Sequence, residues 1–166
     1  MRSRLQLTVA AVALAFSVQA LAEAELGAPA PDYLGKNGAG DDFRVSAYPG
    51  KVVVATFWAS WCGPCQQELP LLEGLQKLIG PDKVKVVAIS IEGREMYQNI
   101  RKAARSLSLE FIHDSTGSAS KAYGRKGVPH LVVIGKDGKL IRQFVGYSEQ
   151  QVNKIIAEVE VALREP

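Results

Sequence analysis

An uninterrupted apolar run that leads directly into the only two cysteines of the chain constrains the fold most strongly. Residues 52–58 read VVVATFW, a β-branched and aromatic segment typical of a strand that is covered on both faces. Cys62 and Cys65 follow in the sequence CGPC, and apolar residues then recur at helical spacing over residues 69–79. The pattern predicts a buried strand, a tight turn that carries both thiols, and a helix.

The same order of elements occurs a second time and is followed by a hairpin. Residues 83–91 predict another buried strand, and an amphipathic pattern from Met96 to Leu107 predicts a helix after it. Two strands joined by a KDG turn, HLVVIG and KLIRQFVG, and a C-terminal helix capped by Ser148 complete the chain. Short strand segments around a glycine-rich turn predict another hairpin at residues 31–51. The sequence therefore predicts one three-layer α/β domain with a central mixed sheet.

The first 22 residues have the pattern of a secretory signal peptide. Arg2 and Arg4 precede an uncharged apolar run, residues 5–18, and the small-x-small triplet ALA ends the segment. The run is short for a membrane span. We expect residues 1–22 to be cleaved, leaving an exported domain of residues 23–166. An uncleaved segment would instead tether the domain to the membrane, facing the same compartment.

The charge of the chain gives no indication of a nucleic-acid partner. Two of the 20 Lys and Arg residues and none of the 17 Asp and Glu residues lie in the first 22 positions. The mature domain therefore has 18 basic and 17 acidic residues, a net charge of +1. No basic cluster stands out in the mature sequence, so we expect no nucleic acid among the partners.

Two cysteines this close are compatible with a structural disulfide, half of a metal site or a redox couple. A structural disulfide is the weakest reading, because so short a loop contributes only about 2 kcal/mol. Gly63 permits a sharp turn, and Pro64 is tolerated in the first helical turn, where its missing N–H has no partner. A thiol at a helix N-terminus is favoured as the thiolate, the species that attacks disulfides. We expect Cys62 to attack a client disulfide and Cys65 to resolve the mixed disulfide.

The combined motifs resemble a known family. FWASWCGPC, a proline five residues after the second cysteine, and GVP before a strand resemble thioredoxin. The signal segment, the APAPDY opening with its hairpin, CQQELP, and the extra helical stretch between AISIE and FIHD resemble the extracytoplasmic TlpA/ResA-like branch more closely. The resemblance covers residues 23–163. It implies a thioredoxin fold and thiol-disulfide oxidoreductase activity, usually as a periplasmic reductant.

The resemblance also implies cofactors and partners. It implies no cofactor beyond the redox-active Cys62–Cys65 disulfide. The clients would be protein disulfides or dithiols, for example in cytochrome c or copper-site assembly. A reductant would also need a membrane-embedded electron donor.

Roles for several residues near the cysteines follow from the same resemblance. The bond between Val128 and Pro129 should be cis and packed against both thiols. Pro129 should then hinder metal capture, and the backbone of Val128 should be offered to a substrate strand. The residues that would meet a client are Trp61, Gly63, Pro64 and Val128. Trp58 is more typical of a core residue under the site.

Glu68 is the candidate acid of the site. Thr56 occupies the position of a buried aspartate in cytosolic thioredoxin, so the usual proton acceptor for the second cysteine is absent. In the TlpA/ResA-like branch that this chain resembles, the acid at the position of Glu68 influences the cysteines instead. Glu68 lies three residues after Cys65, on the same side of the helix. We expect it to tune the thiols, and a solvated helix-surface glutamate is the alternative.

Two other functions stay open on the sequence alone. Cys62, Cys65, His113 and His130 supply enough soft ligands for a copper or zinc module, although Sco-like copper proteins place three residues between their cysteines. His130 either assists the thiols or points away along its strand, and His113 carries no motif. A thiol peroxidase is the second alternative, but that family has a threonine where this chain has Ala59. We expect no metal site.

Overall fold

Seven strands form one mixed sheet in a computed structural model that describes residues 24–165. The strands are β1 (Tyr33–Lys36), β2 (Asp42–Arg44), β3 (Val52–Trp58), β4 (Val84–Ser90), β5 (Glu110–His113), β6 (His130–Ile134) and β7 (Leu140–Val145). Their order across the sheet is β2-β1-β5-β4-β3-β6-β7. The central strands β3, β4 and β5 are parallel, and every other pair of neighbours is antiparallel.

Within residues 24–165, four α-helices cover the two faces of the sheet. They are α1 (Gly63–Ile79), α2 (Arg94–Ala103), α3 (Ser118–Ala122) and α4 (Glu149–Arg164). Buried residues of α1, α2 and α4 belong to one core cluster, together with both cysteines. Buried residues of α3 and the β1–β2 hairpin belong to a second cluster on the other face. The three layers and the N-terminal hairpin predicted from the sequence are therefore confirmed.

The alternation of side chains along β3 divides the apolar core between these clusters. Val54 and Trp58 face α1, whereas Val53, Ala55 and Phe57 face the side of α3. Every residue of β3 is buried. This burial on both faces explains why the VVVATFW segment shows no polar alternation.

Strand register brings three chain segments to the same edge of the sheet. Trp58 and Ser90 are paired at the ends of the parallel strands β3 and β4. His130 begins the antiparallel strand β6 opposite Phe57, one residue before the end of β3. The β3–α1 turn, the β4–α2 loop and the residues that precede β6 therefore meet at the carboxyl end of β3, where both cysteines lie.

The extra helical stretch between β4 and β5 is present but shorter than the sequence pattern predicted. α2 ends at Ala103 and tightens into a 3-10 turn over Ala104–Ser106, so the expectation of a helix to Leu107 was wrong. Both the N–H and the hydroxyl of Ser108 donate to Glu73 Oε1 on α1, at 2.7 and 2.8 Å. These bonds hold the chain in an extended conformation after the turn.

The N-terminal segment lies outside the described residues. Signal-peptide cleavage and the domain boundary at residue 23 therefore stay predictions. Within residues 24–165, none of the helices combines the length and the apolar character needed to cross a membrane.

Candidate active site

The two cysteines are bonded to each other at the amino end of α1, with their sulfurs 2.07 Å apart. Cys62 is the N-cap residue, and its sulfur accepts the backbone N–H of Cys65 at 3.2 Å. Gly63 and Pro64 occupy the first helical positions, and both are exposed. A free N–H group of the first turn therefore points at the Cys62 sulfur, which favours negative charge on that atom.

Solvent exposure distinguishes the two sulfur-bearing residues. Cys62 is 5% exposed and Cys65 is 0% exposed. The neighbouring Trp61 is 70% exposed, while Trp58 is buried and packs edge-on against Phe111. Trp61 is thus available to a partner beside Cys62, and the sequence-based assignment of Trp58 to the core is confirmed.

The Val128–Pro129 peptide bond is cis, as the sequence analysis expected. Pro129 is buried and directly precedes β6 at the carboxyl end of β3. Val128 is half-buried and packs against the core cluster that contains both cysteines. Pro129 O accepts the N–H of Gly146 at 2.8 Å, whereas the backbone of Val128 makes no hydrogen bond within residues 24–165. The Val128 backbone is thus unpaired near the thiols.

Glu68 is buried one helical turn after Cys65, with only 2% of its surface exposed. Thr56 Oγ1 donates to Glu68 Oε2 at 2.7 Å. Burial raises the pKa of Glu68 to about 7, and the hydrogen bond from Thr56 opposes the rise only in part. The alternative of a solvated glutamate is therefore wrong. The buried carboxyl group comes from the helix and contacts the strand position where thioredoxin carries its own acid.

His130 points away from the thiols. It alternates with Leu131, which belongs to the core cluster that contains the cysteines, and it packs edge-on against Phe57 in the opposite cluster. Its Nε2 lies 2.8 Å from Gln143 Oε1, and the Gln143 amide nitrogen donates to Ala24 O. Gln143 therefore accepts from Nε2–H. Burial lowers the pKa of His130, which favours the neutral ring, and this geometry does not support a role in assisting the thiols.

His113 is also buried, at the end of β5. Its ring stacks on Tyr97 of α2, with centroids 4.8 Å apart, and its Nε2 lies 2.6 Å from Glu92 O. The two histidines and the cysteines therefore do not converge as the metal-module alternative requires. No group of three or more His, Cys, Asp or Glu side chains is placed to hold a metal ion in the part of the chain that the structure describes.

The side chains that hold the β3–α1 turn were not predicted from the sequence. Gln66 Nε2 donates to Ser60 O at 2.6 Å, and Glu92 accepts from both the N–H and the hydroxyl of Ser60. A sequence signal existed, because Ser60 and Glu92 each follow a buried strand by two residues. Because the carboxyl ends of adjacent parallel strands lie at the same edge of a sheet, this spacing places Ser60 and Glu92 close together.

A group of exposed basic residues on α2 and the turn after it was also missed. They are Arg94, Arg101, Lys102 and Arg105. Arg101 Nη1 donates to Gly38 O at 3.1 Å, so at least one of these cations supports the hairpin turn. These four residues lie on the exposed side of a short helix and the turn after it, and the other side of the helix packs against the rest of the domain.

Comparison with known proteins identifies the family. Residues 25–159 match the Redoxin family. The chain belongs to the Redoxin family. The Thioredoxin-like protein YneN of Bacillus subtilis (strain 168) is 38% identical to this Redoxin chain over 123 residues, which span 72% of this chain and 71% of YneN.

Two further relatives carry names that describe a reaction. Thiol-disulfide oxidoreductase ResA of Geobacillus thermodenitrificans is 29% identical over 123 residues, which span 73% of this chain and 70% of ResA. A candidate thiol:disulfide interchange protein DsbE from Chlorobium tepidum is 28% identical, with a TM-score of 0.75 over 85% of this chain and 99% of that one. The resemblance to TlpA/ResA-like thioredoxins is confirmed.

This Redoxin chain is a thiol-disulfide oxidoreductase with a thioredoxin fold. The site fits that reaction, since the CGPC pair lies at the start of a helix, with the less deeply buried cysteine at the N-cap. At the position where the peroxidase alternative requires a threonine hydroxyl, the chain has the buried methyl group of Ala59.

Proposed function

We propose that this chain is a periplasmic reductant of protein disulfides that works through Cys62 and Cys65. The observation that carries the direction of the reaction is the buried Glu68, one helical turn from Cys65 and bonded to Thr56. When Glu68 is ionised, its carboxylate disfavours a further negative charge on the sulfur of Cys65, one helical turn away. The thiolate of the reduced protein is therefore less stable, and the reduced protein gives up its electrons more readily.

The first step uses the thiol at the helix N-terminus. The Cys62 thiolate attacks one sulfur of a client disulfide, so that a Cys62–client bond forms and the client S–S bond breaks. One client sulfur leaves as a thiolate. The Cys65 N–H that points at Cys62 Sγ supports the thiolate before attack.

The second step regenerates the internal disulfide. Cys65 gives its proton to the Glu68 carboxylate and attacks Cys62 Sγ, and the second client sulfur leaves as a thiolate. The client gains two electrons, and the Cys62–Cys65 pair loses them. A proton acceptor with a pKa of about 7 suits this transfer, because it is partly ionised near neutral pH yet basic enough to take a proton.

A client would meet the site between Trp61 and Val128. The exposed Trp61 ring offers an apolar surface next to Cys62, and the unpaired backbone of Val128 can accept an extended client strand. Gly63 and Pro64 are both exposed beside Cys62 and would contact a bound client. Pro129 orients this edge, and we assign it no chemical step.

The proposed partners follow from the reaction. Clients are protein disulfides, with cytochrome c or copper-site assembly as candidate settings, and a membrane-embedded dithiol donor returns the electrons. The pattern of the N-terminal 22 residues supports export, and an uncleaved segment would hold the domain at the inner membrane. The redox-active disulfide takes the place of a cofactor. We include no metal and no nucleic acid among the partners.

The reduction potential of the cysteine pair tests the direction of electron flow. Equilibration with glutathione buffers, read by alkylation of the free thiols, should give a value near about −270 mV, which is typical of a reductant. The reduced protein should also reduce insulin, and Cys62→Ser should not. A potential near about −120 mV, typical of a strong oxidant, would overturn the proposed direction.

A further inference from the structure

Ser60 anchors the turn that carries Trp61 and Cys62. Its N–H donates to Glu92 Oε2 at 2.6 Å, and its hydroxyl donates to Glu92 Oε1 at 2.8 Å. Its carbonyl accepts from Gln66 Nε2 at 2.6 Å. The N–H, hydroxyl and carbonyl groups of Ser60 are thus each bonded to a side chain from outside the turn. The two bonds to Glu92 are stronger when its carboxyl group is ionised.

The sheet explains why a side chain is needed at this position. The parallel ladder between β3 and β4 ends at the Trp58–Ser90 pair, and one more bond, from Ile91 N to Trp58 O at 3.2 Å, extends it. The two chains then diverge toward α1 and α2. The Glu92 carboxylate accepts the Ser60 N–H, which the ladder no longer reaches.

His113 holds Glu92 in turn. A carbonyl oxygen can only accept, so His113 Nε2 carries the hydrogen and donates to Glu92 O at 2.6 Å. The imidazole is stacked on Tyr97, and Tyr97 Oη donates to Phe111 O at 2.7 Å. A continuous set of contacts therefore runs from the end of β5 and from α2 to the turn beside the thiol.

We propose that Glu92 is a positioning residue for thiol-disulfide exchange. Through Ser60 it fixes where the Cys62 sulfur lies relative to the Cys65 N–H, and how Trp61 is presented to a client. His113 fixes Glu92 for the same purpose. The inference rests on Cys62 as the attacking thiol. A small displacement of a reacting group is costly, because attack on a disulfide requires a defined alignment of the sulfurs.

Two other roles for Glu92 make different predictions. A carboxylate that acts only through its charge disfavours the thiolate, so its removal lowers the pH at which Cys62 is half alkylated. A residue that only stabilises the fold changes the free energy of unfolding and leaves the chemistry of the folded protein unchanged. A positioning residue holds Cys62 at the helix N-terminus, so its loss raises the alkylation midpoint. Glu68, the buried acid one helical turn after Cys65, is the same in every variant compared.

The test compares Glu92→Gln and Glu92→Asp with wild type. Glutamine loses one acceptor, and aspartate keeps the charge but is one methylene too short to reach both Ser60 donors. Both variants should raise the midpoint of Cys62 alkylation by roughly half a pH unit. Both should slow insulin reduction roughly tenfold. Glu95→Gln, an exposed acid in the first turn of α2, is the matched control and should match wild type.

Specific results would overturn the proposal. A lower midpoint in Glu92→Gln together with a wild-type profile in Glu92→Asp would show that only the charge matters. Unchanged rates and profiles with a lower free energy of urea unfolding would show a purely structural role. If Cys65→Ser traps no client, the assignment of Cys62 fails instead, and this outcome is independent of the Glu92 variants.

His113→Phe tests the second half of the proposal. Phenylalanine keeps a ring to stack on Tyr97 but cannot donate to Glu92 O. We expect the alkylation midpoint to move in the same direction as in Glu92→Gln, by a smaller amount. A wild-type profile in folded His113→Phe would remove His113 from the positioning role.

Discussion

Replacing Glu68 with glutamine should remove a specific pH dependence from the stability of the oxidised protein. Burial raises the pKa of Glu68 from 4.5 to about 7. Between these pH values the folded state holds a proton that the unfolded chain has released. The free energy of unfolding therefore falls as the pH rises from about 4.5 to about 7, and Glu68 causes no further change outside this range.

The expected size follows from the two pKa values. At about 1.4 kcal/mol for each pKa unit, a rise from 4.5 to about 7 corresponds to roughly 3 kcal/mol. Glu68 is 2% exposed, so solvent screens this contribution little. Glu68→Gln keeps the size of the side chain and cannot ionise, so it should be nearly as stable as wild type at low pH and more stable above pH 7.

The assay is urea unfolding of the oxidised protein at a series of pH values from 4 to 8.5. The disulfide keeps the cysteines from titrating. The quantity to plot is the unfolding free energy of wild type minus that of Glu68→Gln, because the other ionisable groups cancel in this difference. It should fall by roughly 3 kcal/mol across the range and then level off.

Glu73→Gln is a matched control on the same helix. The ion pair with Lys77 and the bonds from Ser108 lower the pKa of Glu73 to about 2. Its contribution to stability is therefore complete above about pH 4.5 and is lost as the pH falls toward 2. The difference between wild type and Glu73→Gln should be constant from pH 5 to 8.

A constant difference for Glu68→Gln would contradict this prediction, because it would mean that Glu68 keeps an ordinary pKa in the folded protein. A difference that rises with pH would show that the folded state favours the carboxylate. Thr56→Val gives a further check. Since the bond from Thr56 lowers the pKa of Glu68, its loss should move the upper end of the titration to higher pH.

Three further predictions concern the thiols, the core and the N-terminus. Cys65→Ser should accumulate mixed disulfides with clients on non-reducing gels, and trapping by Cys62→Ser instead would reverse the two roles. Leu131→Ala, in a residue that is 1% exposed, should lower the free energy of urea unfolding by about 2–5 kcal/mol, whereas Leu78→Ala at an 86% exposed site should change it by about 0.5 kcal/mol or less. Equal losses would contradict the core assignment. N-terminal sequencing of protein from an extracytoplasmic fraction should begin at Glu23, and recovery of the intact chain from the cytosol would contradict export.

The elements and the chemistry of the thiol pair could be predicted from the sequence alone. Apolar β-branched runs specify buried strands, the CGPC motif specifies a turn into a helix, and short turns specify the hairpins. These are local properties, because each depends on residues within about one element of each other. The burial of Trp58 followed from the same pattern, and the family resemblance supplied the cis bond before Pro129.

Which distant side chains meet at the site depends on how the elements pack together. Glu68 and Thr56 are 12 residues apart, and Glu92 and Ser60 are 32 apart, so no local pattern pairs them. Strand register decided the direction of His130, because side chains alternate along β6 and a shift of one residue would turn it toward the cysteines. The raised pKa of Glu68 likewise arises from burial, which packing of α1 against the sheet creates.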